Sequence, residues 1–154
     1  MSSLVSLNPA NGEAVGEVPI TSADKVHAIV ERAHTAQVDW RKTSLQQRAE
    51  LLKQAGQQLI DQSTELGELL SREMGKPLAR GQGEVMHCGN WIPGKVDKMA
   101  SALEAETFQD DGTESTLFHD PLGVAGVISP WNYPMSMPQW MVIPSLMAGN
   151  TVVL

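Results

Sequence analysis

The chain has 154 residues, 42% of them apolar, and 11 basic residues against 18 acidic ones give a formal charge of −7. That length suffices for one domain with a real core, the apolar share is that of a soluble globular protein, and an acidic balance with no basic run argues against nucleic acid and anionic membrane as partners, since both need clustered cations. Cys88 is the single cysteine, which excludes an internal disulfide and suits a reducing compartment. The opening Met-Ser-Ser-Leu-Val-Ser-Leu, with Pro9 close behind, has neither the charged region nor the apolar core of a secretory signal, and no stretch reads as a membrane span. A cytoplasmic location is expected.

Residues 4–7 and 13–20 read as short strands around Asn8-Pro9-Ala10-Asn11-Gly12, and Asn-Gly between strand-like runs signals a hairpin. Thr21-Ser22-Ala23-Asp24 resembles a capping box with Asp in place of Glu. The helix after it carries Val26, Ile29, Val30, Ala33 and Ala36 on one stripe, with Trp40 packed under the next turn at its exit. Thr43-Ser44-Leu45-Gln46-Gln47 offers another helix start, with Gln three residues after either hydroxyl. Its buried face is Leu45, Ala49, Leu52, Leu59 and Ile60, and its wet face Arg48, Glu50, Lys53 and Gln57. Ser63 is placed as the cap of a helix through Leu66, Leu69, Leu70 and Met74, which Gly75-Lys76-Pro77 ends. Pro77 suits the first turn of the next helical segment. That segment runs through Val85, Cys88 and Trp91 to a kink or break at Pro93-Gly94, and helix resumes over 95–105. Asp110-Asp111-Gly112 reads as a loop and 113–119 as an edge strand.

Residues 124–128 form a β-branched apolar run flanked and interrupted by Gly123 and Gly126, the pattern of a buried parallel strand. The glycines fall short of a G-x-G-x-x-G phosphate loop and are read as points of close backbone approach. Ser129-Pro130-Trp131-Asn132-Tyr133-Pro134 breaks the strand, because proline cannot continue it. Over 135–148 the apolar residues Met137, Trp140, Met141, Ile143, Leu146 and Met147 recur at helical spacing, and Gly149-Asn150 is a helix stop. Thr151-Val152-Val153-Leu154 starts a second buried strand. Strand, loop, helix and strand in that order make a right-handed crossover joining parallel strands, so the fold class is α/β. In open α/β sheets ligands sit beyond the carboxyl ends of the strands, which is where Asn132 lies. Its amide could hold a developing oxyanion or cap its own loop, and spacing leaves both open.

Other constellations carry little. His87 and Cys88 are adjacent on a helix and point about 100° apart, and His27, His34 and His119 show no ligand spacing, so no metal is expected. Cys88 is read as a structural thiol rather than a nucleophile. No Ser-His-Asp or paired-carboxylate arrangement stands out.

Pro121-Leu122-Gly123-Val124, Ile128-Ser129-Pro130-Trp131-Asn132-Tyr133-Pro134 and Ala148-Gly149-Asn150-Thr151-Val152-Val153-Leu154 together resemble the NAD(P)-dependent aldehyde dehydrogenase superfamily. Glu73-Met74-Gly75-Lys76-Pro77-Leu78 resembles that family's Glu-x-Gly-Lys-Pro turn, while Pro93-Gly94 departs from its uninterrupted helix. The resemblance implies an N-terminal hairpin and helical layer followed by the first strand-helix-strand unit of an incomplete Rossmann-like cofactor domain. The divisions are a β-hairpin over 1–20, a helical layer over 21–106, an edge-strand region over 107–120 and a βαβ unit over 121–154. It implies that Asn132 is the side-chain half of an oxyanion hole. It further implies that Ile128, Ser129, Pro130, Trp131 and Asn132 run past NAD or NADP, and that Tyr133, Met137 and Trp140 line an aldehyde tunnel. For these last three, periodicity alone favours core packing. The family's strand near 113–119 contributes to subunit contacts, so its exposure here would imply a homo-oligomer. The family's nucleophilic cysteine and general-base glutamate come later than the position of Leu154. The chain thus matches roughly the first third of such an enzyme, and alone it is expected to be inactive on a small-molecule aldehyde. The alternative is a non-catalytic module that associates through its unfinished sheet.

Overall fold

The computed structural model describes residues 2–154. Strands β1 (Ser3–Leu7) and β2 (Ala14–Pro19) pair antiparallel, with Leu4 opposite Val18. Asn8 organises their turn: its side chain accepts from the Ala10 amide at 2.9 Å and its carbonyl from the Gly12 amide at 2.7 Å. Gly12 sits at φ +75°, a left-handed conformation that costs glycine nothing.

Helices α1 (Ala23–Trp40), α2 (Leu45–Asp61), α3 (Ser63–Met74) and α4 (Leu78–Ala102) follow. The Ser44 start is a full capping box: the Gln47 amide donates to Ser44 Oγ at 3.1 Å and the Ser44 amide to Gln47 Oε1 at 2.8 Å. Two other expected caps are absent. The box expected over Thr21 to Asp24 does not form, for the N-cap of α1 is Ser22 and it makes no side-chain cap bond, and Ser63 is already the first residue of α3, behind an uncapped Gln62. Gly75 ends α3 in the left-handed conformation, φ +67°, as its sequence predicts. The break expected at Pro93-Gly94 does not occur, for α4 runs continuously through Pro93 and stops at Ala102. Buried residues flank the proline at Cys88, Gly89, Ile92 and Val96, so packing on both sides outweighs the one hydrogen bond that proline removes.

Ala49 and Leu52 of α2, Ile92 and Val96 of α4, and Ile143 and Met147 of α5 (Ser136–Met147) form the core. Burying a large aliphatic side chain contributes about 1.5–3 kcal/mol, so this three-helix junction dominates stability. Arg48, expected on the wet face of α2, is buried at 8% exposure, and burial lowers the pKa of its guanidinium. Helix α1 stands apart and is tied to the C-terminal end of the chain by polar bonds. Thr151 Oγ1 donates to the Ala33 carbonyl at 2.8 Å, Gln37 Nε2 to the Gly149 carbonyl at 3.3 Å, and Trp40 Nε1 to the Leu146 carbonyl at 3.0 Å. Trp40 therefore closes onto the end of α5 rather than under its own next turn.

Residues 106–117 depart most from expectation. They form a hairpin of β3 (Glu106–Asp110) and β4 (Thr113–Leu117), every residue of it exposed. β3 straddles the expected limit between helical layer and edge strand. The Asp111-Gly112 turn, with φ of +40° and +83°, is the two-residue type that joins such strands.

The last unit is parallel as expected. β5 (Val124–Gly126) and β6 (Thr151–Val153) pair in register, with Ala125 beside Val152, and α5 crosses between them. Neither strand is fully buried, because each has one neighbour only. Ile128 lies beyond the end of β5 and is 96% exposed. Among the described residues no helix is long and apolar enough to cross a membrane.

Candidate active site

The parallel pair is pinned at both ends. Asn150 Oδ1 accepts from the Gly123 amide at 2.8 Å, the Thr151 amide donates to the Gly123 carbonyl at 2.9 Å, and the Val127 amide to the Val153 carbonyl at 2.8 Å. Gly123 is present for its backbone angle, φ +125°, since a Cβ on it or on Gly126 would meet nothing within 4 Å. The close approach expected of these glycines is not what they provide. Val127 is buried, and after it the chain leaves the carboxyl end of β5 and turns through residues 128–134 into α5.

Asn132 is exposed on that turn. Among the described residues its side chain makes no hydrogen bond, so the amide does not tie down its own loop and both N–H groups are free. Trp131 is 78% exposed, Tyr133 52% and Trp140 53%, while Ser129 and Met137 are half-buried and Pro130 is exposed. The expected stripe on α5 is rotated only in part. Its second half keeps the expected Ile143 and Met147 buried, while in its first half Ser136 and Gln139 are buried in place of the half-buried Met137 and the exposed Trp140. The reason is polar: hydrogen bonds join the first half of α5 to α4. Gln139 Nε2 donates to the Cys88 carbonyl at 2.8 Å, and Ser136 Oγ lies 3.5 Å from Cys88 Sγ.

The anchor of this packing is Glu84, which sequence reasoning missed. Its side chain is 4% exposed and its Oε2 receives Lys76 Nζ at 2.7 Å. Its Oε1 accepts from the Met135 amide at 3.1 Å and the Ser136 amide at 3.2 Å. Lys76 Nζ also lies 4.1 Å from the centroid of the Tyr133 ring, within the range of a favourable cation–π contact. An acid falls on the same α4 stripe as Gly81, Val85, Cys88 and Ile92; that placement was the available signal, since acids are almost never buried without a partner. Together Lys76, Glu84, Tyr133 and Ser136 line a cleft of about 680 Å³ that Arg80 and His87 also border. Met137 and Trp140 are not among its lining residues. Cys88 is 1% exposed. Burial pushes its thiol above the ordinary range, the Ser136 hydroxyl opposes this, and Glu84 adds to it, the reverse of what activates a nucleophile. Among the described residues no group of His, Cys, Asp and Glu could hold a metal ion.

The strip from Ile128 to Asn132 offers exposed apolar side chains and a free amide beyond the carboxyl end of a parallel strand, the end at which open α/β sheets bind ligands.

Known proteins resemble the chain over nearly its whole length. Residues 2–154 match the model of the aldehyde dehydrogenase family. A probable succinate-semialdehyde dehydrogenase [NADP(+)] of Sinorhizobium fredii is 36% identical over 149 residues, which cover 96% of this chain and 30% of that protein. A malonate-semialdehyde dehydrogenase of Bacillus pumilus is 35% identical over 150 residues, 96% of this chain and 30% of that protein. The crystal structure of an NAD-dependent aldehyde dehydrogenase from Sinorhizobium meliloti superposes with a TM-score of 0.93 at 31% identity, over 99% of this chain and 31% of that one. The NADP complex of an NADP-dependent glyceraldehyde-3-phosphate dehydrogenase from Bacillus halodurans C-125 gives 0.92 at 30% identity, over 98% and 33%. The chain thus spans about 30% of the length of the curated relatives it matches.

Proposed function

The chain belongs to the aldehyde dehydrogenase family, and we propose that it supplies the oxyanion-binding and part of the cofactor-binding surface of an enzyme that oxidises an aldehyde to a carboxylic acid with NAD or NADP. The observation that carries this reading is the free Asn132 amide at the carboxyl end of β5. The attack of a nucleophile on an aldehyde carbonyl moves negative charge onto the carbonyl oxygen. A donor already fixed in place stabilises that charge without reorganising as the reaction proceeds. The backbone that carries Asn132 is held on one side by the β5–β6 bonds and on the other by the start of α5. Ile128, Ser129, Pro130 and Trp131 form the adjoining surface for the cofactor, which when bound supplies the two-electron oxidant. Tyr133 stands at the cleft beside this loop. Met137 and Trp140 are assigned to an aldehyde tunnel by the family resemblance alone, since neither lines the cleft. The nucleophile is no residue of this chain, as the only thiol is buried.

The relatives named for succinate- and malonate-semialdehyde support a short aldehyde that carries a carboxylate as the substrate class. In a full-length subunit carrying this segment, Asn132→Ala should lower kcat about 10²–10³-fold, or about 3–4 kcal/mol of transition-state stabilisation, and leave cofactor affinity unchanged. An unchanged kcat removes Asn132 from the mechanism. A second reading, a non-catalytic module that associates through its open sheet, draws on the exposure of Leu122, Ile128, Trp131 and Leu154 around β5 and β6. Purified as 154 residues, the chain should form no NADH from aldehyde and NAD.

A further inference from the structure

Glu84 takes no part in the chemistry proposed above, yet it holds the chain that carries Asn132. The first amides of a helix have no partners within the helix. α5 does not satisfy them from its own sequence, because Met135 at its N-cap makes no side-chain cap bond. Glu84 does so from another helix: one carboxylate oxygen takes the amides of Met135 and Ser136 at 3.1 and 3.2 Å. Its negative charge also lies at the positive end of the α5 dipole. The other oxygen takes Lys76 at 2.7 Å, and that same ammonium covers the ring of Tyr133 at 4.1 Å. Tyr133 is the neighbour of Asn132 and Met135 comes two residues later, so both contacts fall on the stretch that leads out of Asn132 and both run through one nearly buried ion pair.

We propose that Glu84 is a positioning residue for Asn132: with Lys76 it clamps the start of α5 and Tyr133 against α4, and so fixes where the Asn132 amide points. This rests on the reading of Asn132 as the oxyanion donor. A carboxylate that receives three donors in a dry place makes a stiff mount, since losing any one leaves a buried polar group unpaired. The two amides need an acceptor oxygen at a set reach, whereas a negative charge anywhere nearby would serve Lys76. The reach and the charge can be changed separately.

The test uses the full-length subunit with Glu84→Asp, Glu84→Gln, Asn132→Ala and the double variant of Glu84→Asp with Asn132→Ala. Glu84→Asp keeps the charge for Lys76 but draws the acceptor back from the amides; kcat should fall about tenfold with KM for the cofactor unchanged. Glu84→Gln keeps an acceptor at full reach for the two amides but loses the ion pair with Lys76, and should recover only part of that loss. The double variant should be no slower than Asn132→Ala alone, because a mount has nothing to hold once the amide is gone. Three outcomes overturn the proposal. The first is Glu84→Asp at wild-type kcat while Asn132→Ala is slow. The second is losses that multiply in the double variant. The third is Glu84→Asp slow while Asn132→Ala turns over normally, which removes the oxyanion reading as well. Circular dichroism of each variant separates these from loss of fold, and if Glu84→Asp does not fold, Glu84→Ala, which removes the acceptor, takes its place in the same cycle with Asn132→Ala: a wild-type kcat for Glu84→Ala beside a slow Asn132→Ala, or a multiplied loss in the double variant, overturns the proposal, and a slow Glu84→Ala with no further loss in the double variant supports it.

Discussion

The side-chain amide of Gln139 reaches from α5 to the carbonyl of Cys88 in the middle of α4, 2.8 Å away. It is a buried polar bridge where an apolar contact would be the simpler solution, and it is incomplete: Gln139 Oε1 is buried and has no partner among the described residues. An unmade bond of this kind costs about 1–3 kcal/mol, against roughly 1 kcal/mol gained by the bond that is made. Replacing the whole group should therefore be nearly neutral. Gln139→Met should change the free energy of unfolding by less than about 1 kcal/mol. Gln139→Glu turns the donor into an acceptor facing a carbonyl and buries a carboxyl beside it, and should cost more than about 2 kcal/mol. Denaturant unfolding of the two variants gives the comparison.

Helices α2 and α4 cross at glycines. A Cβ on Gly89 would lie 2.6 Å from the Gly56 carbonyl oxygen and 2.6 Å from Ile60 Cγ1. At Gly83, on the same helix, a Cβ would meet nothing within 4 Å. Alanine is the better helix former by about 0.5–1 kcal/mol, so Gly83→Ala should stabilise the protein by that amount. Gly89→Ala gains the same local term but forces the helices apart, at a cost of about 1–3 kcal/mol. Opposite signs for the two substitutions in thermal unfolding are the expected outcome. Two stabilising results would mean that the crossing yields easily.

What could be read in advance follows the range of the interaction. The Ser44–Gln47 box and the Gly75 stop are contained within a few residues, and both hold in the structure. The β5–α5–β6 crossover was legible because proline and glycine mark its corners. The Thr21–Asp24 stretch and Ser63 carry the same kind of signal and do not cap, since a hydroxyl near a helix start permits the bond without compelling it. The hairpin over residues 106–117 was missed on one side. Glu106-Thr107-Phe108-Gln109-Asp110 has no alternation with a buried face to reveal it, and only Asp111-Gly112 marks the turn. The candidate site was half legible. The exposure of Asn132 follows from the prolines around it. The clamp on its loop joins Lys76, Glu84 and two backbone amides some fifty residues later, and no local pattern encodes such a meeting. Arg48 and the buried face in the first half of α5 were misplaced for a related reason, because periodicity reports which face is apolar and not where a neighbouring helix offers a polar partner.

The buried thiol sets a pH limit on one side. Cys88 in the folded chain has its pKa raised above the ordinary 9.0, chiefly by burial, whereas in the unfolded chain the thiol ionises in its usual range. The unfolded state therefore loses its proton first as pH rises. The stability that this group contributes is fully present below about pH 8, and it falls as pH climbs through the folded-state value. The denaturant midpoint should decline as pH rises above about 8, and Cys88→Ser, whose hydroxyl does not titrate there, should lack that component of the decline. Near neutrality Cys88 should react with iodoacetamide only as fast as the chain unfolds. A rapid reaction in the native state would contradict its burial.

The open sheet makes a prediction about the 154-residue chain by itself. Leu122 is 101% exposed, Ile128 96%, Trp131 78% and Leu154 76%, and all four belong to the β5–α5–β6 unit or its borders. Four large apolar side chains this exposed on one small unit favour association in water. Covering one such side chain contributes about 1.5–3 kcal/mol. The isolated chain should therefore associate as its concentration rises, which sedimentation velocity can follow. Ile128→Ser with Trp131→Ser should weaken that association by at least about tenfold, because 1.4 kcal/mol corresponds to a factor of ten. A control pair on the exposed β3–β4 hairpin, Phe108→Ser with Leu117→Ser, distinguishes the two surfaces. If the control weakens association and the first pair does not, the hairpin is the sticky surface and the open parallel sheet is not.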